Sequence, residues 1–202
     1  MSARTPSLRS PIEQVIFAAA TDESRPVLTG VSAQFDEYRL TLAAADGFRL
    51  AVAHAQLLSP VEKPFTTIIP ARALAEVARI IGDQEEPVLV DVTPARNQIL
   101  FHMNDVNLVS QLIEGNFPDY NQIIPKSHTT RVVADTKAVL QAVKTANIFA
   151  RDAANVVRME ISPGDELTPG RLTLSATAAE VGENVGEVDV TVEGDPIEIA
   201  FN

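Results

Sequence analysis

Hydrophobic positions along the chain switch repeatedly between a helical and a strand period, and the switches recur in one order. Ser10-Pro-Ile-Glu13 reads as a capping box with Pro at the first helical position, which predicts a helix over residues 11–20 with Ile12, Val15, Ile16 and Ala19 on one face. Apolar runs at 27–35, 39–45 and 48–56 then predict three strands, interrupted by Asp36-Glu37 and Asp46-Gly47. The order returns as a short strand at 65–69, a helix opened by Pro70 and running to 81, and strands at 88–92, 98–102 and 106–112. It returns once more as a strand at 130–134, a helix over 136–150, and strands at 156–161, 171–175 and 186–192. Each unit reads strand, helix, three strands, with helix starts roughly 60 to 65 residues apart and a weak opening strand in the first. A recurring period of this length decides the architecture.

Residues 114–129, EGNFPDYNQIIPKSHT, carry Pro, Gly and Asn without a period and mark a connection between domains. The expected organisation is a domain at 1–121 holding two units and a second at 122–202 holding one. Residues 196–201 then read as the opening strand of a further unit, so the sheet is expected to end in an unpaired apolar strand and the chain to be part of a larger protein.

Composition narrows the chemistry. Aromatics are 5% and Trp is absent, so the core must be built from Val, Leu, Ile and Ala. Cysteine is also absent, which rules out disulfides and thiolate metal sites. No apolar run has the length of a signal-peptide core or a bilayer span, and the expectation is a cytoplasmic protein. A formal net charge of -11 argues against a conventional nucleic-acid binder, whose affinity comes from Lys and Arg displacing counterions from phosphates. Catalytic signatures are missing too. His54, His102 and His128 are scattered, and there is no Gly-rich phosphate loop and no G-x-S-x-G elbow. A hydrolase using Asp46 or Asp119 would need an acid/base pair that the sequence does not display. His102-Met-Asn-Asp105 is ordinary turn chemistry. No enzyme activity, cofactor or metal is expected.

Three motifs follow one another over roughly 100 residues: RPVLTGV at 25–31, AADGFRLA at 44–51, and FPDY at 117–120 trailed by Ile123, Ile124 and Pro125. The Asp-Gly pair of the second predicts a tight β-hairpin. In this order and at these separations they resemble the β sliding clamp of bacterial DNA polymerase III, over its middle domain and the first half of its third. The resemblance implies an α+β DNA-clamp fold of repeated β-α-β-β-β units, with helices on one face and antiparallel sheets on the other. It implies a non-catalytic processivity factor whose full-length subunits close head to tail into a dimeric ring around duplex DNA. The partners implied are the DNA polymerase III alpha subunit, the clamp loader and other proteins carrying a clamp-binding peptide. This chain alone is expected to be monomeric.

Two sets of residues take on roles from that resemblance. Arg72 and Arg79 on the helix at 70–81, and Lys137, Lys144 and Arg151 on the helix at 136–150, lie opposite the apolar faces Leu74, Val77, Ala78, Ile81 and Val139, Leu140, Val143, Ala150. On sequence alone they are ordinary solvated faces. The resemblance makes them the lining of the hole through which DNA passes, where weak phosphate contacts suit sliding and an acidic exterior is no obstacle. Arg25 joins them as a backbone contact, or else anchors its loop to Asp22 or Glu23. The second set is the partner-peptide pocket: Leu28, Ala45, Gly47, Phe48, Arg49, Leu50, Pro118, Gln122 and Ile123. Apolar walls supply the binding energy there and a few polar groups set the register. Ala45 stands where Thr is usual and Gln122 where a basic residue often sits. Taken alone, Leu28, Leu50 and Ile123 read as core. The rival reading is a peptide-binding or assembly module of the same repeats that never meets DNA.

Overall fold

The computed structural model describes residues 2–5, 8–82, 84, 86–151, 155–165, 167–178 and 182–202. Its contacts divide the chain into Met1–Ile123 and Ile124–Asn202. In the first unit the strands are β1 (Ser2–Thr5), β2 (Gly30–Asp36), β3 (Arg39–Ala45), β4 (Leu50–Gln56), β5 (Phe65–Pro70), β6 (Val88–Val92), β7 (Gln98–Met103) and β8 (Val106–Gln111). They form two antiparallel four-stranded sheets, β4-β3-β2-β5 and β1-β6-β7-β8. Each repeat therefore lends its opening strand to the other: β1 pairs with β6, and β5 pairs with β2. The Phe35 and Phe65 rings stack across that exchange with centroids 4.6 Å apart.

Alternation along the strands sends Val31, Ala33 and Phe35, with Leu40, Leu42 and Ala44, into one core with Val88, Val90, Ile99 and Phe101 of the other sheet. Helices α1 (Arg9–Glu13) and α2 (Ala71–Ile81) pack on each other and close that core. The expected face Leu74, Val77, Ala78 and Ile81 of α2 is buried.

Four expectations in this unit are corrected. The helix at 11–20 is instead α1 followed by a 3-10 turn, Ile16–Ala18. Ile12, Val15 and Ala18 are fully buried at a spacing of three, the residue count of one 3-10 turn. The capping box is not made: Leu8 is the N-cap, Ser10 Oγ accepts from Gln14 Nε2, and Glu13 takes the Arg9 guanidinium at 2.8 Å. The strand at 27–35 begins only at Gly30, because Pro26 opens a 3-10 turn, Pro26–Thr29. The hairpin between β3 and β4 has a four-residue loop, 46–49, since Ala45 pairs with Leu50.

The second unit holds β9 (Thr130–Val133), α3 (Thr136–Ala150), β10 (Val157–Ser162), β11 (Gly170–Ala178), β12 (Gly182–Gly194) and β13 (Ile197–Phe201). Its sheet runs β13-β10-β11-β12-β9. Asp135 caps α3 by accepting from the Ala138 N–H at 2.8 Å, and Ala146 and Ala150 bury against Leu172, Leu174 and Val188. β13 is paired along one side with β10, so the expected unpaired strand is an edge strand. Strand β12 extends well beyond 186–192, pairing with β11 at one end and β9 at the other. Leu140, expected on the apolar face of α3, is instead 50% exposed. It shares the outer side with Lys137, Lys144 and Ile148 at spacings of three and four.

Candidate functional site

The loop between β3 and β4 is built by one carboxylate. Asp46 accepts from the backbone N–H groups of Phe48 at 2.9 Å and Arg49 at 3.1 Å, and from Arg49 Nε at 2.9 Å. The Phe48 N–H above all, helped by the Arg49 contacts, holds the Asp46 carboxyl below the usual carboxylate range, against burial, which opposes it and ranks next after the Phe48 bond. Gly47 takes φ +96°, where a side chain would be strained. Arg25 reaches in from upstream, Nη2 donating to the Asp46 carbonyl at 3.0 Å, while the Asp22 carboxylate is taken by Ser24. Thus Arg25 fastens its loop to the hairpin by a hydrogen bond, while the Asp22 carboxyl is lowered first by the Ser24 bonds and after them by the Arg25 charge. The outcome is a hydrogen-bonded loop that presents Phe48 with 97% of its surface exposed.

Behind that loop lies an apolar patch outside the main core. The outer face of the β4-β3-β2-β5 sheet carries the row Val52, Ala43, Ser32 and Ile68, one residue per strand, with Leu50 and Ala45 paired in the row beside it. Leu28, Ala43 and Ile68 are buried, yet none packs into the core cluster between the sheets. Gly30 makes this close approach possible: a Cβ there would collide with Ile68 Cγ2 and meet Ile113 Cδ1 at 2.8 Å. Of the expected pocket residues, Ala45 and Leu50 thus border this patch, Leu28 is buried outside the core cluster, and Phe48 and Arg49 lie in the loop between β3 and β4.

The FPDY segment behaves differently. Asp119 caps a 3-10 turn, Tyr120–Gln122, accepting from Gln122 Nε2 at 2.9 Å and from Asn121 N at 3.2 Å. Those bonds, the Gln122 amide first, keep the Asp119 carboxyl below its ordinary value. The Gln122 side chain is thereby occupied, and Ile123 is 70% exposed. A groove of about 490 Å³ separates this connector from the edge of β5, and Pro118 alone of the nine expected pocket residues lines it. Val52, Ala43, Ser32 and Ile68 were not expected. The sequence did hold a signal for Val52: β4 has Ala51, Ala53 and Ala55 inward and Leu50 and Val52 outward, an apolar pair on a face that an antiparallel strand usually leaves polar.

The expected DNA-facing cations are all exposed on their elements. Arg79 is paired with Glu76 at 2.7 Å. Among the described residues no carboxylate lies within ion-pair distance of Arg72, Lys137, Lys144 or Arg151. His102 bonds Asn107 across the strands at 2.6 Å. No described group of three or more His, Cys, Asp and Glu residues is arranged to hold a metal ion, and no described helix is long and apolar enough to cross a membrane.

Strand-exchanged β-α-β-β-β repeats with an apolar patch held outside the core define an α+β scaffold of the clamp type. The chain belongs to the DNA polymerase III beta subunit family: the model of that subunit's central domain matches residues 3–119 and that of its C-terminal domain residues 121–202. Curated relatives include the beta sliding clamp of Bacillus subtilis, 33% identical over 200 residues, covering 98% of this chain and 51% of the relative. That of Staphylococcus aureus is 38% identical over 196 residues, covering 96% and 50%. The chain therefore spans about half the length of the curated relatives it matches. Among solved structures, the B. subtilis DNA polymerase sliding clamp superposes with a TM-score of 0.90 at 32% identity, over 100% of this chain and 52% of that one. A Pseudomonas aeruginosa sliding clamp bound to griselimycin gives 0.87 at 27% identity, over 100% and 53%.

Proposed function

We propose that these repeats serve in a DNA polymerase processivity factor, a ring-shaped sliding clamp around duplex DNA that holds the replicative polymerase through a peptide-binding patch. The observation that carries the reading is the apolar patch of Ala43 and Ile68, with Leu28 likewise buried, outside the core yet inside the segment that matches the family's central domain. In this reading Leu28, Ala45, Gly47, Phe48, Arg49, Leu50, Pro118, Gln122 and Ile123 receive the partner peptide, with Gln122 acting only if its bond to Asp119 opens. Arg25, Arg72, Arg79, Lys137, Lys144 and Arg151 face the phosphates, and Arg79 does so with its charge partly answered by Glu76. Contacts of this kind are weak and salt-screened, so retention must come from ring closure and not from affinity.

The partners are the DNA polymerase III alpha subunit, the clamp loader and other proteins with a clamp-binding peptide. The full-length assembly is a head-to-tail homodimer, it works in the cytoplasm, and it catalyses no reaction of its own. The test is topological. A full-length clamp carrying these repeats, loaded on a nicked circle, should stay bound at a salt concentration that strips simple DNA binders and should leave when the circle is linearised. Equal retention on both forms would replace the ring by a peptide-binding module.

A further inference from the structure

We infer that the peptide site does not end at the apolar patch but continues along the free edge of β5, where a flanking stretch of the partner peptide pairs as an added strand. The inference rests on the peptide-site reading above. β5 is the outer strand of its sheet, and the groove of about 490 Å³ runs beside it, lined by Gln34, Thr66, Ile68, Arg96, Pro118 and Tyr120. Within it the Ile68 carbonyl points away from β2, since it accepts from the Ile113 N–H at 2.9 Å. Backbone groups alternate along a strand, so the Thr66 N–H and C=O, two residues back, point the same way into the groove. Among the described residues no other strand pairs along that side of β5.

An edge strand with directed backbone groups beside an open groove fits an extended chain and not a helix. The patch leads into the groove. The row Val52, Ala43, Ser32 and Ile68 crosses the sheet from β4 to β5, and Ser32 and Ile68 line both features. From Val52 to Ser32 is two strand spacings, roughly 10 Å, or about three residues of extended peptide. Arg96, Glu114 and Asp119 share the groove, so the added stretch is selected for extended, polar, β-forming residues and not for one charge.

Fluorescence anisotropy on the 202-residue chain tests this with a labelled pentapeptide, Ala-Leu-Ser-Leu-Phe, and the same peptide lengthened by Thr-Val-Thr-Ser at one end or the other. One lengthened form should bind roughly tenfold tighter than the pentapeptide. Thr66→Pro removes a donor at an edge position that tolerates proline, and should bring the lengthened peptide back to the pentapeptide's affinity. Methylating alternate amides of the added stretch should do the same without altering the protein. Lengthened peptides that bind no tighter, or a gain that survives both the substitution and the methylation, would overturn the extension while leaving the patch. Failure of the pentapeptide to bind, or binding indifferent to Leu50→Ala, would remove the peptide-site reading and the extension with it.

Discussion

The two units carry the same repeat and bury it differently. In Met1–Ile123 two repeats exchange opening strands and pack α1 against α2, and the outer side of α2 shows only Arg72, Glu76 and Arg79 as exposed residues. In Ile124–Asn202 a single repeat has the same strands and helix, yet α3 exposes Leu140 at 50% and Ile148 at 60%. The face of β13 that lies in register with Val157, Met159 and Ile161 likewise exposes Ile197, Ile199 and Phe201. One helix and its own strands do not cover the apolar side of a repeat. The pairing of two repeats is thus what turns an amphipathic sheet into a closed core.

The exchange itself should carry the largest effect. Phe65 belongs to the second repeat and Phe35 to the first, so Phe65→Ala removes the ring that joins them and is expected to destabilise the first unit by about 3–5 kcal/mol. Urea unfolding checks it. A cost of about 1 kcal/mol or less would mean that backbone pairing, not the ring stack, fastens the repeats. The next prediction sets the helices against each other. Leu74→Ala in α2 should cost about 2–5 kcal/mol, because Leu74 is in the closed core. Leu140→Lys in α3 should change stability by no more than about 0.5 kcal/mol, as for an exposed position. Comparable losses at both positions would break the contrast.

Helix amphipathicity and strand alternation make most of the fold legible in the sequence. The bounds of α3 and β3 agree with the expected ranges, and α2 begins one residue later than expected. What stays hidden depends on partners distant along the chain. Ser2–Thr5 has no apolar alternation and is a strand because its backbone pairs with Val88–Val92. Gly182, Gly186 and Gly194 depress the strand signal of β12, which pairing on both sides overrides. At the candidate site, the family resemblance carried by the three motifs points to Leu28 and Leu50. The row from Val52 to Ile68 is not legible that way, because it exists only once four strands are set in register. Leu50 tests that patch. Leu50→Ala should weaken binding of a leucine-and-aromatic peptide by about 1–3 kcal/mol while unfolding stays cooperative, as for an interface anchor. Lost stability with unchanged affinity would place Leu50 in the core instead.

The smallest expected effect concerns two loops, one in each unit, made in the same way. Asp46 and Asp165 each accept the backbone N–H groups two and three residues ahead, and each leaves an apolar residue at the tip almost fully exposed, Phe48 and Leu167. An exposed apolar tip is therefore a product of the turn and not in itself the sign of a site. The loops differ in their charge partners, since Asp46 also binds the Arg49 guanidinium whereas Asp165 takes the Thr168 hydroxyl. Both carboxyls are held below the ordinary value of 3.8, Asp46 first by the Phe48 N–H and Asp165 first by the Leu167 N–H. A carboxyl lowered on folding contributes stability that is present above its unfolded pKa and is lost as pH falls through the folded value. Both caps should accordingly be complete at neutral pH and fade only in acid below about pH 4. The amide signals of Phe48, Arg49, Leu167 and Thr168 in an NMR titration should move with midpoints below 3.8. Raising the salt concentration should shift the midpoint reported by Phe48 and Arg49 upward and leave that of Leu167 and Thr168 nearly fixed, because only the first pair reads a carboxylate facing an arginine. Equal salt shifts in the two loops would show that the backbone bonds alone set both.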